Sequence, residues 1–191
     1  MKYKKKILFL LILIFFSVLY PKDKKVLMVI AFQNFRDEEL FIPKKIFEKN
    51  GIKVDIASVK KGTASGMLGG TVNVNLTLNE VKESDYDGIV FVGGTGSESL
   101  FESNEAKKIA SAFYNNKKVV GAICLAPGIL ANAGILKGKK ATCFPSASGI
   151  LIKNGAIYTS KPVEIDGNII TGSGPEVAEK FGMEILKLLL R

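Results

Sequence analysis

Unbroken apolar runs rich in β-branched residues, spaced by segments of helical period, constrain this chain more than any other feature. Lys25–Phe32 (KVLMVIAF), Gly88–Val92 and Val119–Ile123 carry apolar residues at consecutive rather than alternate positions. A strand without a polar face must be covered on both sides. Helical periods occupy Asp37–Asn50, stopped by Gly51, then Asn104–Asn115, the stretch from Cys124 to Ala133, stopped by Gly134, and Pro175–Leu190. Glycine just past a helix end is the usual stop. Shorter strands are expected at Lys53–Ser58, Ala141–Phe144, Ala156–Thr159 and Asn168–Thr171. A hairpin excursion is expected over residues 62–78, where glycines precede Val72 and Val74 alternating with asparagines. This alternation predicts one α/β domain with a mostly parallel, covered sheet. In such sheets ligands sit outside the carboxyl ends of the strands. The segments to watch are therefore Gln33–Glu39, Gly93–Ser97, Cys124–Gly128 and Ser173–Glu176.

The net charge of +9 is concentrated at one end of the chain. Residues 1–25 hold seven lysines and one acid, Asp23, so the rest carries only +3. That remainder has no basic stripe interleaved with aromatics, and no nucleic-acid partner is expected. Lys2–Lys6 is followed by an apolar run, Ile7–Leu19, interrupted only by Ser17. As a helix the run spans about 20 Å, short of the roughly 30 Å hydrocarbon core, which suits a signal segment better than a full crossing. No small-x-small cleavage site follows. Residues 1–24 are read as a signal or membrane-anchor segment, with attachment through residues 7–20, and residues 25–191 as the domain. Membrane association or export follows if residues 1–20 are a genuine signal. A cytoplasmic protein follows if they are a wrongly assigned start.

Histidine is absent. That removes Ser-His-Asp and Cys-His pairs, imidazole-ligated metals and imidazole pH switches together. Two cysteines are too few for a disulfide scaffold or an all-cysteine zinc site. No metal and no cofactor are expected. Acid–base chemistry is left to carboxylates, thiols, lysines and tyrosines.

In Val119-Val120-Gly121-Ala122-Ile123-Cys124-Leu125-Ala126-Pro127-Gly128 a strand runs straight into a thiol, and a helix starts at once. Proline belongs in a first helical turn. The alanines two before and two after Cys124 leave room for a sharp bend, as in a nucleophile elbow. The helix start favours a thiolate, so half-ionisation is expected well below the free-thiol value of about 8.5. The plainer reading is a small buried core cysteine. Cys143 is read as a packed thiol, with pairing to Cys124 conceivable only after export.

Asp37-Glu38-Glu39 open the first helix, where acids suit the macrodipole. On a helical projection Pro43, Phe47 and Ile46 fall within about 80° of Glu39. Asp37, Glu38, Lys44, Lys45, Glu48 and Lys49 fall on the opposite arc, so Glu39 is the acid aimed at the buried side. A carboxyl buried without a cation keeps its proton. Phe41 is apolar on the wet arc. Gly93-Gly94-Thr95-Gly96 follows a strand and permits either loop freedom or close backbone approach, with Gly94 N–H and Leu125 N–H as an oxyanion pair. Gly172-Ser173-Gly174-Pro175 can hold an anion at the last helix. Gly93 and Pro175 are assigned to substrate contact.

Several motifs together resemble the ThiJ/PfpI family across nearly all of residues 25–191. They are Phe35-Arg36-Asp37-Glu38-Glu39 ahead of Pro43, Gly51-Ile52-Lys53-Val54, Val92-Gly93-Gly94, Ala122-Ile123-Cys124-Leu125-Ala126-Pro127, and Asp166-Gly167-Asn168 leading to Thr171 and Gly174-Pro175. The resemblance implies a flavodoxin-like α/β sandwich of the class I glutamine amidotransferase type, usually a homodimer. It also implies Cys124 as nucleophile and Glu39 as its proton partner. Departures narrow the function. Members similar to the PfpI protease carry histidine directly after the cysteine, where this chain has Leu125. Relatives active on glyoxals often have histidine near Cys143 or Phe144. The expectation is an enzyme on small reactive carbonyls, of glyoxalase or deglycase type. A cysteine peptidase and a redox-sensing or chaperone-like dimer are the alternatives.

Overall fold

The computed structural model describes residues 24–191. In chain order the elements are β1 (Lys25–Val29), β2 (Gln33–Phe35), α1 (Asp37–Lys49), β3 (Lys53–Ser58), β4 (Gly62–Gly66), β5 (Thr71–Val74), β6 (Leu76–Thr77), β7 (Gly88–Phe91), α2 (Asn104–Asn115), β8 (Val119–Ile123), α3 (Pro127–Asn132), β9 (Lys140–Ala141), α4 (Ser148–Lys153), β10 (Ile157–Tyr158), β11 (Val163–Asp166), β12 (Ile169–Gly172) and α5 (Ala178–Leu189).

Seven strands form the central sheet in the order β11-β12-β8-β7-β1-β3-β6. Every neighbouring pair is parallel except β11 with β12. The consecutive apolar runs take the middle of the sheet, where both faces are covered. Val26 to Val29, Ile89 to Phe91 and Val120 are fully buried. Helices α1 and α5 pack together on one face, and α2 and α3 on the other. Gly121 lets α5 lie close to β8, since a Cβ there would stand 2.8 Å from Ile185 Cδ1. The chain is thus a flavodoxin-like α/β sandwich, as expected.

Several boundaries differ from expectation. The expected hairpin is β4 with β5, antiparallel, joined by β2 in a separate three-stranded sheet. Leu76 and Thr77, expected within that hairpin, instead form the short edge strand β6 of the main sheet. The strand β11 was not anticipated, because Val163–Asp166 alternates polar and apolar residues and lies at an edge half-open to water. The strand expected over Ala141–Phe144 shrinks to β9, since Phe144 N–H turns to the Cys124 carbonyl at 2.8 Å. The targeting segment expected over residues 1–24 lies outside the described residues, Lys24 apart. Among the described residues no helix is long and apolar enough to cross a membrane.

Because the inner strands run parallel, the segments after β1, β7, β8 and β12 emerge at one edge. That edge gathers Arg36, Gly94, Cys124 and Pro175 around a single cavity.

Candidate active site

Cys124 terminates β8 with φ at 63°, a left-handed conformation that L-residues other than glycine rarely adopt. The turn is pinned on both sides. Cys124 N–H donates to Gly172 O at 2.9 Å, and Cys124 O accepts from Phe144 N–H at 2.8 Å. The side chain is thereby turned out of the sheet toward the cavity, though the residue is only 7% exposed. The N–H groups of Gly94 and Leu125 both reach the sulfur.

Glu39 comes from the first turn of α1 and is fully buried. Its Oε2 accepts from Gly93 N–H at 2.9 Å. Its Oε1 has no hydrogen-bond partner among the described residues, and the Cys124 thiol is the carboxyl's other polar neighbour. Gly93 sits between the two: a Cβ there would stand 2.6 Å from both Cys124 Cβ and Glu39 Oε2. Only a glycine lets the carboxyl and the thiol meet.

Burial pushes the Glu39 carboxyl up to about 8, against the pull of Cys124 and Gly93. At neutral pH it carries its proton, as the helical projection implies. Burial, followed by the Glu39 charge, pushes the Cys124 thiol up to about 12, and the Gly94 and Leu125 N–H groups offset this only in part. The expectation of a freely ionised thiol is therefore corrected. A single-turn helix start and two N–H groups do not outweigh removal from water beside a carboxyl. The two groups resist holding two negative charges at once. A thiolate here requires the remaining proton to sit on Glu39.

The cavity in front of the sulfur measures about 270 Å³. Gly94, Leu125 and Pro175 line it. Gly93 does not line it; its N–H donates to Glu39 Oε2 instead. The anion site expected at Gly172–Pro175 is also corrected. Ser173 Oγ hydrogen-bonds Glu176 Oε1 at 3.0 Å, so a carboxylate already occupies that loop. Cys143 is packed at 1% exposure, and both cysteines are free thiols.

The sequence assigns no site role to six residues of the cavity: Arg36, Met67, Thr95, Glu98, Phe144 and Ser146. Met67 had a legible signal, since Met67-Leu68 is an apolar pair at a hairpin tip where polar residues are usual. The helical projection puts Asp37 on the wet arc, yet it is only 8% exposed. It accepts from Leu68 N–H at 2.8 Å and Gly70 N–H at 2.7 Å, because the β4–β5 hairpin folds over that side of α1. Phe41 packs edge-on to Phe35 under the same hairpin, with ring centres 6.1 Å apart.

The model of the DJ-1/PfpI family matches residues 24–188. The chain belongs to the DJ-1/PfpI family. An uncharacterized protein of Methanocaldococcus jannaschii is 52% identical over 171 residues, covering 88% of this chain and 83% of that protein. A protein of Pyrococcus horikoshii named deglycase PH1704 is 34% identical over 165 residues, 86% of this chain and 99% of its own length. The crystal structure of a ThiJ/PfpI domain protein from Brachyspira murdochii superposes with a TM-score of 0.87 at 37% identity, covering 88% of this chain and 98% of that one. DJ-1/PfpI membership accounts for the fold. The chemistry must still be argued from Cys124 and Glu39.

Proposed function

We propose that this DJ-1/PfpI protein is a cysteine-dependent enzyme acting on small reactive carbonyls, converting 2-oxoaldehydes to 2-hydroxy acids. The observation that carries the reading is the buried carboxyl of Glu39 set against the Cys124 thiol, beside N–H groups converging on the same point.

Cys124 Sγ adds to the aldehyde carbon, forming a C–S bond. The addition starts from the singly ionised pair, with the thiolate on Cys124 and the remaining proton on Glu39; Glu39 gives that proton to the carbonyl oxygen, whose developing charge meets the Gly94 and Leu125 N–H groups. Glu39, now ionised, takes the hydrogen of the former aldehyde carbon as a proton. It returns that proton to the adjacent carbon, so one carbon is oxidised as its neighbour is reduced. The product is a thioester of the 2-hydroxy acid. Water cleaves it, releasing the acid and restoring the thiol. The balance is one aldehyde plus one water, with no external oxidant. The same addition would act on early glycation adducts of proteins.

Methylglyoxal with the purified protein should yield lactate, and Cys124→Ser and Glu39→Gln should each lower the rate at least a hundredfold. Lactate formed at the unaltered rate by both variants overturns the reading. Peptidase chemistry is less well supported, because the chain holds no histidine to serve as base. A peroxide sensor is also less well supported, because such sensors need an exposed, readily ionised thiol. We further propose a homodimer, as expected from the family resemblance; a solution mass near 20.7 kDa would count against it.

A further inference from the structure

We propose that the cavity selects 2-oxoaldehydes bearing a bulky, planar apolar substituent, and that Met67 and Phe144 set this preference. The inference rests on the carbonyl reading above and concerns the group attached beyond the reacting carbons.

The apolar lining runs from the buried Leu125, next to Cys124 in the chain, and Pro175 to the exposed Met67 and Phe144 at the open side. The cavity's polar residues, Thr95, Glu98 and Ser146, are exposed and belong to the mouth. The one cation on the lining, Arg36, is forked onto Glu38 at 2.9 and 3.1 Å, and its remaining field falls on Glu39 and Cys124 rather than on the open side of the cavity. A methyl group leaves most of about 270 Å³ unfilled, whereas a phenyl ring covers the apolar wall.

Both selecting residues are held by main chain while their side chains stay partly open. Phe144 N–H donates to Cys124 O at 2.8 Å, which ties its main chain to the nucleophile's turn. Met67 N–H donates to Phe35 O at 2.9 Å, and its neighbours Leu68 and Gly70 are tied to Asp37. Met67 is 39% exposed and Phe144 43%, large apolar areas left open among the described residues. A ring attached through Cys124 would cover both. Thioether and aromatic side chains suit an aryl guest, through sulfur–ring and ring–ring contact.

The test compares phenylglyoxal with methylglyoxal for the unaltered protein and for Met67→Ala and Phe144→Ala. Each preference is a ratio of kcat/KM values, so intrinsic aldehyde reactivity cancels between proteins. The phenyl preference should fall about tenfold in at least one variant. A second arm reads alkylation of Cys124 by N-phenylmaleimide against N-methylmaleimide, located by peptide mass, and needs no turnover. The phenyl reagent should gain in the unaltered protein and lose that gain in the same variant. A phenyl preference in alkylation without turnover of either aldehyde sinks the carbonyl reading and leaves the selection standing. A preference that both variants leave unchanged in the alkylation arm overturns the inference, whatever the turnover.

Discussion

At residue 39 a carboxyl lies fully buried against a thiol, with the Arg36 charge too weak to offset its removal from water, and its protonation sets what the site can do. The first proton leaves the Glu39–Cys124 pair near pH 8. Carbonyl turnover should therefore rise with pH toward that value, read as the ascending limb of a kcat/KM profile. In Glu39→Gln the charge that helps push the thiol up is gone, so Cys124 should ionise at lower pH than in the unaltered protein. Thiol alkylation against pH checks this, and an upward shift would contradict it. The same carboxyl carries a stability consequence. Its value in the folded state, about 8, lies above the ordinary 4.5, so the folded protein holds the proton more tightly. Its contribution is whole below about 4.5 and is lost as pH rises through 8. The urea midpoint should lose this contribution between about pH 4.5 and 8, and lose less over that range in Glu39→Gln. Gly93→Ala should abolish activity by two orders of magnitude or more, because its Cβ would part acid from thiol. The direction Glu39 faces was legible in the sequence, since the projection of one helix decides it. The thiol's resistance to ionising was not, because that depends on groups three separate segments bring together.

Elements tell a parallel story. The inner strands were legible because continuous burial leaves a continuous apolar run, and α2 falls on the residues its period predicts. The hairpin was legible as a hairpin, but its place over α1 was not. That placement depends on Asp37, a helix-start acid by every local criterion, which instead holds two N–H groups of the β4–β5 turn. Asp37→Ala leaves both donors without their acceptor, at a cost of about 1 to 3 kcal/mol. The loss should be local: faster hydrogen exchange at Leu68 and Gly70 with little change in β7 and β8. Uniform acceleration across the sheet would show that the hairpin supports the whole fold. Gly66 and Gly70 are part of the same latch, for a Cβ on either would intrude on the Asp37 carboxyl.

Over the whole molecule, the described residues build a sheet covered on both faces, with its antiparallel strand and its shortest strand at the two edges. Residues 24–191 are accordingly proposed as a self-sufficient domain. A polypeptide of that span should unfold in one cooperative transition, followed by far-ultraviolet circular dichroism. All of this architecture converges on a backbone contortion at residue 124 that no side chain favours. Glycine would sit there more easily than alanine, reversing their usual order. Cys124→Gly should outlast Cys124→Ala by about 1 kcal/mol, or about 2–4 °C in melting. A lineage screened for heat tolerance alone, blind to catalysis, would be nudged toward discarding its own sulfur, so a cysteine held in that pose marks a demand that sturdiness does not explain.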